Sequence, residues 1–184
     1  MSDSTTSGST PTDDRESGGT TPGDDGESLV TPDMHERKGV WGDEVTSPPV
    51  AESDIRRWAI AVHWPETPPP IFWDADYAAT TRWGGIVAPP DFNPFAWPIR
   101  TPRTATDNKR DRSKRRLRGM NGGQVETYGV PIRPGDVITA RNRLRDWDER
   151  DTRLGRTLFT NHETEWHNQN GELVKRRVST AIRY

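Results

Sequence analysis

Residues 137–184 read VITARNRLRDWDERDTRLGRTLFTNHETEWHNQNGELVKRRVSTAIRY. The pattern predicts three strands separated by turns, at 137–147, about 156–167 and 172–184. In the last of these, one face collects the side chains of Val174, Val178, Thr180, Ile182 and Tyr184, which follow the two-residue period of a strand. With a further strand predicted at Gln124–Gly129, the C-terminal half is expected to form an antiparallel meander.

The segment before these strands has helical signals instead. Ile55, Trp58, Ala59 and Val62 recur at helical spacing and predict a helix over about 54–63, and Asp74 is placed to cap a second short helix. A long central helix is expected after Pro89-Pro90, with its inward side chains at Phe92, Phe95, Ala96 and Ile99. Helices followed by a meander predict an α+β fold, in which an antiparallel sheet wraps around one helix.

The N-terminal segment has a different composition. Residues 1–36 hold nine acidic side chains and one basic side chain, Arg15, so their net charge is −8. Few large apolar residues are present to offset the ordering entropy of the backbone, about 1–2 kcal/mol per residue. We therefore expect a disordered acidic tail over 1–46 and one domain over 47–184. Because the whole chain carries −2, removing the −8 of residues 1–36 leaves +6 for residues 37–184.

The sequence contains no cysteine, which excludes disulfides and thiolate metal sites. Three of the four histidines, His63, His162 and His167, are scattered over the predicted domain, and the last two would face opposite sides of a strand, so no metal site is predicted. No signal-peptide pattern follows Met1, and the apolar runs are too short to cross a bilayer. We expect a cytoplasmic protein that does not bind a membrane.

Six short motifs resemble, in their order, the N-terminal type of MaoC-like dehydratase domain, over about 51–184. They are DIRRWA (54–59), DYA (76–78), RWGGIVAPPDF (82–92), GGQVETY (122–128), RPGDVI (133–138) and NQNGELV (168–174). The resemblance implies a hot-dog fold that dimerises by joining sheets and needs no cofactor. It also implies that acyl-CoA or acyl-carrier-protein thioesters bind at the dimer interface.

Active members of this family carry Asp-x-Asn-Pro-x-His shortly before the Tyr-Ala motif, because addition of water to an enoyl thioester needs a positioned base and acid. Counting back from Tyr77-Ala78 puts the family's Asn-Pro on Pro69-Pro70, its His on Phe72 and its Asp near Thr67. Neither catalytic side chain is present. Glu66, one residue away, is the one candidate to replace the carboxylate.

A second difference from the family lies at the start of the expected central helix. Active members have His-Gly there, and the backbone amide stabilises the thioester oxyanion. This chain has Pro89-Pro90 at that place, and proline has no amide proton to donate. The resemblance therefore implies a domain that binds acyl thioesters but has lost both its dyad and its oxyanion donor.

The acyl pocket is expected to use residues of the Pro-rich loop, the 82–92 motif and the glycine motif before the first strand. These candidates are Phe72, Trp73, Trp83, Gly85, Ile86, Ala88, Pro89, Pro90, Phe92, Gly122, Gly123 and Gln124. Residues 100–118 hold nine Lys or Arg against two Asp. This basic loop is either a solvated loop or a clamp for the CoA phosphates, with Arg112, Lys114, Arg115 and Arg116 as candidates. It has no interleaved aromatic residues, which argues against nucleic acid.

These observations favour the non-catalytic, acyl-CoA-binding subunit of a heteromeric (R)-specific enoyl-CoA hydratase, acting in lipid or steroid side-chain metabolism. Because the chain ends directly after its last strand, the active half is expected on another polypeptide, a second MaoC-like hot-dog subunit with the intact dyad. Two alternatives stay open at this point. One is a free-standing acyl-thioester binding module, and the other is a self-sufficient dehydratase or thioesterase that uses Glu66.

Overall fold

The computed structural model describes residues 27–96 and 118–184. Three short helices and a 3-10 turn precede most of the sheet: α1 (Pro32–Arg37), α2 (Glu52–His63), the turn Pro70–Phe72 and α3 (Ala75–Thr80). The strands are β1 (Val45–Thr46), β2 (Gly119–Tyr128), β3 (Thr139–Thr152), β4 (Gly155–His167) and β5 (Leu173–Arg183). The two short predicted helices and the four predicted strands are confirmed, although β2 begins five residues earlier and β3 ends five residues later than predicted.

All five strands form one antiparallel sheet in the order β1-β3-β4-β5-β2. The hairpins β3-β4 and β4-β5 join sequence neighbours, which confirms the meander. β2 crosses to the far side of the sheet and pairs with β5 over its whole length. The α+β class and the antiparallel sheet are therefore as predicted.

One end of the sheet is covered by the helical half of the chain. Ile55 of α2 and Ala78 of α3 are fully buried, and Phe92 is 2% exposed. They pack in one apolar cluster with sheet and loop residues that include Ile138, Trp166 and Val174. At about 1.5–3 kcal/mol per buried large apolar side chain, this cluster is the main stabilising contact between helices and sheet.

The expected long central helix is wrong for its described part. Residues 86–96 form an extended segment and turns, and 97–99 lie outside the described residues. The amide of Ala88 donates to the carbonyl oxygen of Ile132 at 2.8 Å, so this segment is held by a neighbouring loop instead of by its own turns. Pro89, Pro90 and Pro94 also remove three of the donors that a helix would use. Phe92 is buried as predicted, but it belongs to a loop and not to a helix.

The predicted disorder of the tail is wrong for residues 27–46, while residues 1–26 lie outside the described residues. Residues 28–46, which we call the N-terminal strap, run along the outer side of β3. Met34 of α1 is 9% exposed and packs with Leu144 and Leu158 in a second apolar cluster, which Leu29, Val30 and Trp147 extend. The acidic average of the tail concealed these few apolar side chains.

The strap also contacts a ladder of charges on the sheet. Glu163 and Glu165 are each 5% exposed and form ion pairs with Arg143, Arg141 and Arg176. Burial alone would raise the pKa of the Glu165 carboxyl, but the hydrogen bonds from Arg141 and Arg176 lower that pKa below its ordinary value. The Trp41 ring of the strap lies 4.4 Å from the Arg141 guanidinium and 4.3 Å from that of Arg143.

Candidate functional site

A cavity of about 220 Å³ lies at the end of the sheet that the helical half covers. Three parts of the chain enclose it: Trp83 with the Ala88–Pro90 segment, the link between β2 and β3, and the ends of β4 and β5. Its walls are Trp83, Ala88, Pro89, Pro90, Tyr128, Gly129, Val130, Pro131, Ile132, Trp166, Val174 and Lys175. The lining is mainly apolar, as is usual for a small-molecule site.

The link Tyr128–Ile132 is fixed on both of its sides. Toward β5, the amides of Gly129 and Val130 donate to the carbonyl oxygens of Val174 and Leu173 at 2.9 and 3.0 Å. Toward the helical half, Ile132 accepts the hydrogen bond from Ala88. A side chain at Gly129 would place its Cβ 2.0 Å from the Leu173 carbonyl oxygen, so only glycine allows this close approach.

Lys175 is the charged residue in the wall of the cavity. It is 7% exposed, and its Nζ lies 4.0 Å from the centre of the Trp166 ring and 5.8 Å from that of Tyr128. Glu126 Oε1 lies 3.9 Å from the same nitrogen. Burial lowers the pKa of Lys175, and the nearby Glu126 carboxylate partly offsets this effect.

Tyr128 completes the polar part of the site. Its hydroxyl donates to Glu126 Oε2. This hydrogen bond, followed by burial and the charges of Glu126 and Asp91, raises the pKa of Tyr128 to about 12. The phenol therefore stays protonated at neutral pH and is no general base. Among the described residues that line the cavity there is no Asp, Glu or His, so the wall offers one ammonium group and one phenol.

Four of the predicted pocket residues, Trp83, Ala88, Pro89 and Pro90, line this cavity. They are close in sequence, and a single segment brings them to the site. Ile86 and Phe92 lie instead in the apolar core beside it, and Phe72 packs on the same core from a half-buried position. Gly85 is half-buried but is not part of the wall.

The other predicted pocket residues do not reach the cavity wall. The indole of Trp73 donates to the carbonyl oxygen of Pro68 at 2.9 Å, so it stabilises the Pro-rich loop. Gly122, Gly123 and Gln124 are exposed on β2, and Gln124 borders a shallow groove over β2 and β5. Gly122 and Gly123 lie at a bulge in the pairing of these strands. The sequence motif placed them in the pocket, but the register of β2 carries them along the open edge.

Two further predictions concern charged residues. Glu66 is exposed in the loop after α2 and does not line the cavity. Arg112, Lys114, Arg115 and Arg116 lie outside the described residues. Within the described residues, no group of three or more His, Cys, Asp or Glu side chains is arranged to hold a metal ion.

The sequence reasoning missed the link residues and the pair formed by Trp166 and Lys175. Lys175 lies opposite both Trp166 of β4 and Tyr128 of β2 in the sheet register. A lysine in a predicted strand, beside an aromatic residue on the neighbouring strand, was the available signal. It could be recognised only if the register was known.

A family model described as the FAS1-like dehydratase domain region matches residues 37–177. The chain belongs to this family. The match begins inside the N-terminal strap, before the predicted domain boundary at residue 47. It includes all the residues that line the cavity, so the site lies within the dehydratase domain. No curated protein sequence is similar enough to count as a match.

Solved structures confirm that this dehydratase domain has the hot-dog fold of MaoC-like proteins. The ChsH1-ChsH2 complex from Mycobacterium tuberculosis matches with a TM-score of 0.59 and 19% identity, over 81% of this chain and 87% of that chain. The C-terminally truncated HadBC (3R-hydroxyacyl-ACP dehydratase) complex from the same organism matches with a TM-score of 0.52 and 20% identity, over 79% and 96%. A MaoC-like dehydratase from Rhodospirillum rubrum matches with a TM-score of 0.50 and 17% identity, over 77% and 90%.

Across the described part of the dehydratase domain and its strap, the helices are too short and too polar for any of them to traverse a lipid bilayer.

Proposed function

We propose that this chain is the acyl-thioester-binding, non-catalytic subunit of a heteromeric (R)-specific enoyl-CoA hydratase that acts in lipid or steroid side-chain metabolism. The acyl chain enters the cavity between Trp83 and Trp166. The base and the acid come from a second MaoC-like hot-dog subunit with an intact Asp-x-Asn-Pro-x-His motif. The thioester is carried by CoA or by a carrier protein.

The composition of the cavity wall is the observation that carries this proposal. Hydration of an enoyl thioester needs a group that deprotonates water and a group that delivers a proton to C2. The described residues around the cavity supply neither a carboxylate nor an imidazole, and Tyr128 is held in its protonated form. An apolar cavity without this pair is suited to binding and not to hydration.

The region where the dyad would lie supports the same reading. Phe72, at the position of the family's His, packs on the apolar core and has its ring centre 5.9 Å from that of His63. Pro90, at the position of the oxyanion donor, has no amide proton, although it lies in the cavity wall. Glu66 is exposed away from that wall, so a self-sufficient enzyme based on this residue has no support.

The open edge of the sheet supports the second subunit. β2 pairs with β5 on one side, and no described segment pairs with its other side. Exposed apolar side chains lie along this edge, with Met120, Val125 and Tyr128 at 43%, 69% and 49% exposure. An edge of this kind accepts another strand readily. ChsH1-ChsH2 and HadBC, which share the fold, are complexes of two named chains.

The test uses the purified chain and a neighbouring small hot-dog protein that has the intact motif. We expect the chain alone to bind a non-hydrolysable acyl-CoA thioether but to leave trans-2-enoyl-CoA unhydrated. The co-expressed pair is expected to form a complex and to hydrate the substrate to the (R)-3-hydroxyacyl product. Hydration by the chain alone at a normal enzymatic rate would falsify the proposal, and Glu66→Gln would then test whether Glu66 is the base.

A further inference from the structure

We propose that buried Lys175 and its half-buried partner Glu126 make the cavity selective for an apolar chain that carries a neutral carbonyl oxygen. Such a chain is preferred over a pure hydrocarbon and over a carboxylate of the same shape. The inference rests on the proposed function in one respect, because the ligand is taken to be an acyl chain. It adds which functional group of the acyl chain lies against Lys175.

The first step concerns the hydrogen-bonding capacity of Lys175. An ammonium group has three donors and no acceptor. Within residues 27–96 and 118–184 Nζ forms no hydrogen bond, and the Glu126 oxygen at 3.9 Å is an ion-pair partner only. The face of Trp166 at 4.0 Å accounts for the attraction on one side of the group. Donors without a partner therefore border an apolar cavity, and a ligand oxygen can satisfy one of them.

The second step concerns charge. The ionised groups that act on Lys175 are Glu126, Asp91 and Arg177. Together with Lys175 itself they make two cations and two anions, so the local charge is balanced. A ligand carboxylate would add a negative charge beside Glu126 in surroundings that screen charges poorly. A carbonyl oxygen accepts a hydrogen bond without adding charge, and it is the better partner.

The carbonyl has two sources, the thioester group itself and a ketone farther along the acyl chain. Both present the same sp² oxygen to the ammonium group. Trp83, Pro89 and Trp166 also line the cavity, so the carbon chain that carries the carbonyl meets apolar walls.

A purely structural role for Lys175 is the competing explanation. In that case the side chain only covers Trp166 and pairs with Glu126, and ligands do not sense it. The two explanations predict different ligand preferences, and four probes that carry the same hexyl chain on an sp² carbon separate them. The probes are 2-octanone, its isostere 2-methyl-1-octene, the isosteric carboxylate heptanoate, and S-methyl heptanethioate.

Binding of each probe to the full chain is measured by calorimetry at pH 7.5. We expect 2-octanone to bind at least roughly ten-fold more tightly than 2-methyl-1-octene, the lower end of the range for one hydrogen bond from a charged donor, and more tightly than heptanoate. The relative affinities of 2-octanone and the thioester identify the source of the carbonyl. If 2-octanone and the thioester both bind more tightly than the alkene, the inference is supported whichever of the two binds better.

Two variants complete the test. Lys175→Met keeps the length of the side chain and is expected to equalise 2-octanone and 2-methyl-1-octene, while Lys175→Arg keeps the preference. Glu126→Gln is expected to raise the affinity for heptanoate roughly ten-fold, because the ammonium charge is then less compensated. Thermal unfolding confirms that each variant is folded, and Lys175→Arg serves as the second variant if Lys175→Met is not.

The inference is overturned if heptanoate binds wild-type protein most tightly, if Lys175→Met keeps the preference for the ketone, or if no probe binds. None of the probes contains CoA, and the assay needs no partner subunit. A negative result here therefore leaves the hydration test of the proposed function unaffected, and failure of that test leaves the probe affinities valid.

Discussion

The two outer edges of the sheet differ in how their backbone groups are used. Along β3, the strap supplies β1, whose Val45 and Thr46 pair with Ala140 and Thr139. Farther along, the amides of Gly42 and Gly39 donate to the carbonyl oxygens of Asn142 and Leu144, each at 2.8 Å. At the far end, Ser28 and Leu29 donate to the carboxylate of Glu149.

Along β2 the described chain provides no such cover. Its outward side chains are exposed and include Val125, which lies near the middle of the strand. Unpaired strand edges favour association, and proteins usually block those that are not used. The contrast between a covered edge and an open edge therefore favours β2 as the place where the proposed partner would add its strand.

The largest effect is expected from removing the strap. A chain of residues 47–184 loses the contacts of Met34, Leu29 and Val30 with the second apolar cluster and uncovers the β3 edge. Met34 is buried and counts for about 1.5–3 kcal/mol, and the half-buried Leu29 and Val30 count for about half of that each, so we expect the free energy of unfolding to fall by about 3–6 kcal/mol. Urea unfolding measures this loss, and light scattering measures the aggregation that follows. A chain that begins at residue 27 is the control, and equal midpoints for the two chains would contradict the role of the strap.

A smaller effect is expected from Glu149→Gln. Burial would raise the Glu149 pKa, but hydrogen bonds from Leu29, Ser28 and Arg156 lower it below its ordinary value of 4.5. Because these bonds involve a charged acceptor, the variant should lose about 1.5–3 kcal/mol at pH 7.

The pH dependence of this difference has a defined sign. A carboxyl group whose pKa is lowered by folding stabilises the protein above its unfolded pKa, and this contribution is lost as the pH falls through the folded pKa. The wild-type and Glu149→Gln stabilities should therefore converge below the ordinary Glu pKa of 4.5. Asp151→Asn, an exposed partner of the same Arg156, is the matched control and should change little. A pH-independent difference would show that the carboxylate charge plays no part.

A still smaller loss of stability is expected when the strap loses its contact with the arginines of the ion-pair ladder on the sheet. Trp41→Leu removes a ring that lies over two guanidinium groups, those of Arg141 and Arg143. We expect the free energy of unfolding to fall by about 1 kcal/mol, with a smaller difference at high salt. Tyr77→Leu, on an exposed face of α3, serves as the control. If both substitutions cost the same, the guanidinium stacking contributes nothing specific.

The smallest effect on stability is expected at the open edge. Val125→Lys replaces a side chain that is 69% exposed, so the free energy of unfolding should change by at most about 0.5 kcal/mol. The lysine should nevertheless block strand addition, and size-exclusion chromatography should show loss of the complex with the partner subunit. Leu154→Lys, in the β3–β4 turn, should leave the complex intact. An intact complex with Val125→Lys would exclude β2 as the joining edge.

Local patterns explain which parts of the fold were predictable. The strands follow from alternation and turn residues, and α3 begins where predicted because Asp74 Oδ1 accepts the amide of Tyr77 at 3.0 Å. The segment 86–96 failed as a helix because its apolar spacing was outweighed by prolines and by the Ala88–Ile132 hydrogen bond. The strap was not predicted because the average composition of the acidic segment hides its few apolar residues. One of them, Met34, is buried only because it packs on distant strands.

The residues of the candidate site also fall into a group that local sequence predicted and a group that it did not. Trp83, Ala88, Pro89 and Pro90 are neighbours in sequence, so one motif was enough to find them. Lys175 and Trp166 belong to different strands, and a shift of one residue in register would have turned either side chain to the other face. Register depends on the pairing of whole strands, which no local motif specifies.

The sequence by itself determined that Phe72 has no imidazole and that Pro90 has no amide proton, whatever their surroundings. It also determined the strands, because alternation of side chains is a local property of the backbone. Only the tertiary structure decided that a charged lysine borders the apolar cavity and that one sheet edge is covered while the other is open. These features arise from contacts between residues far apart in the chain, such as Met34 with Leu158 and Tyr128 with Lys175.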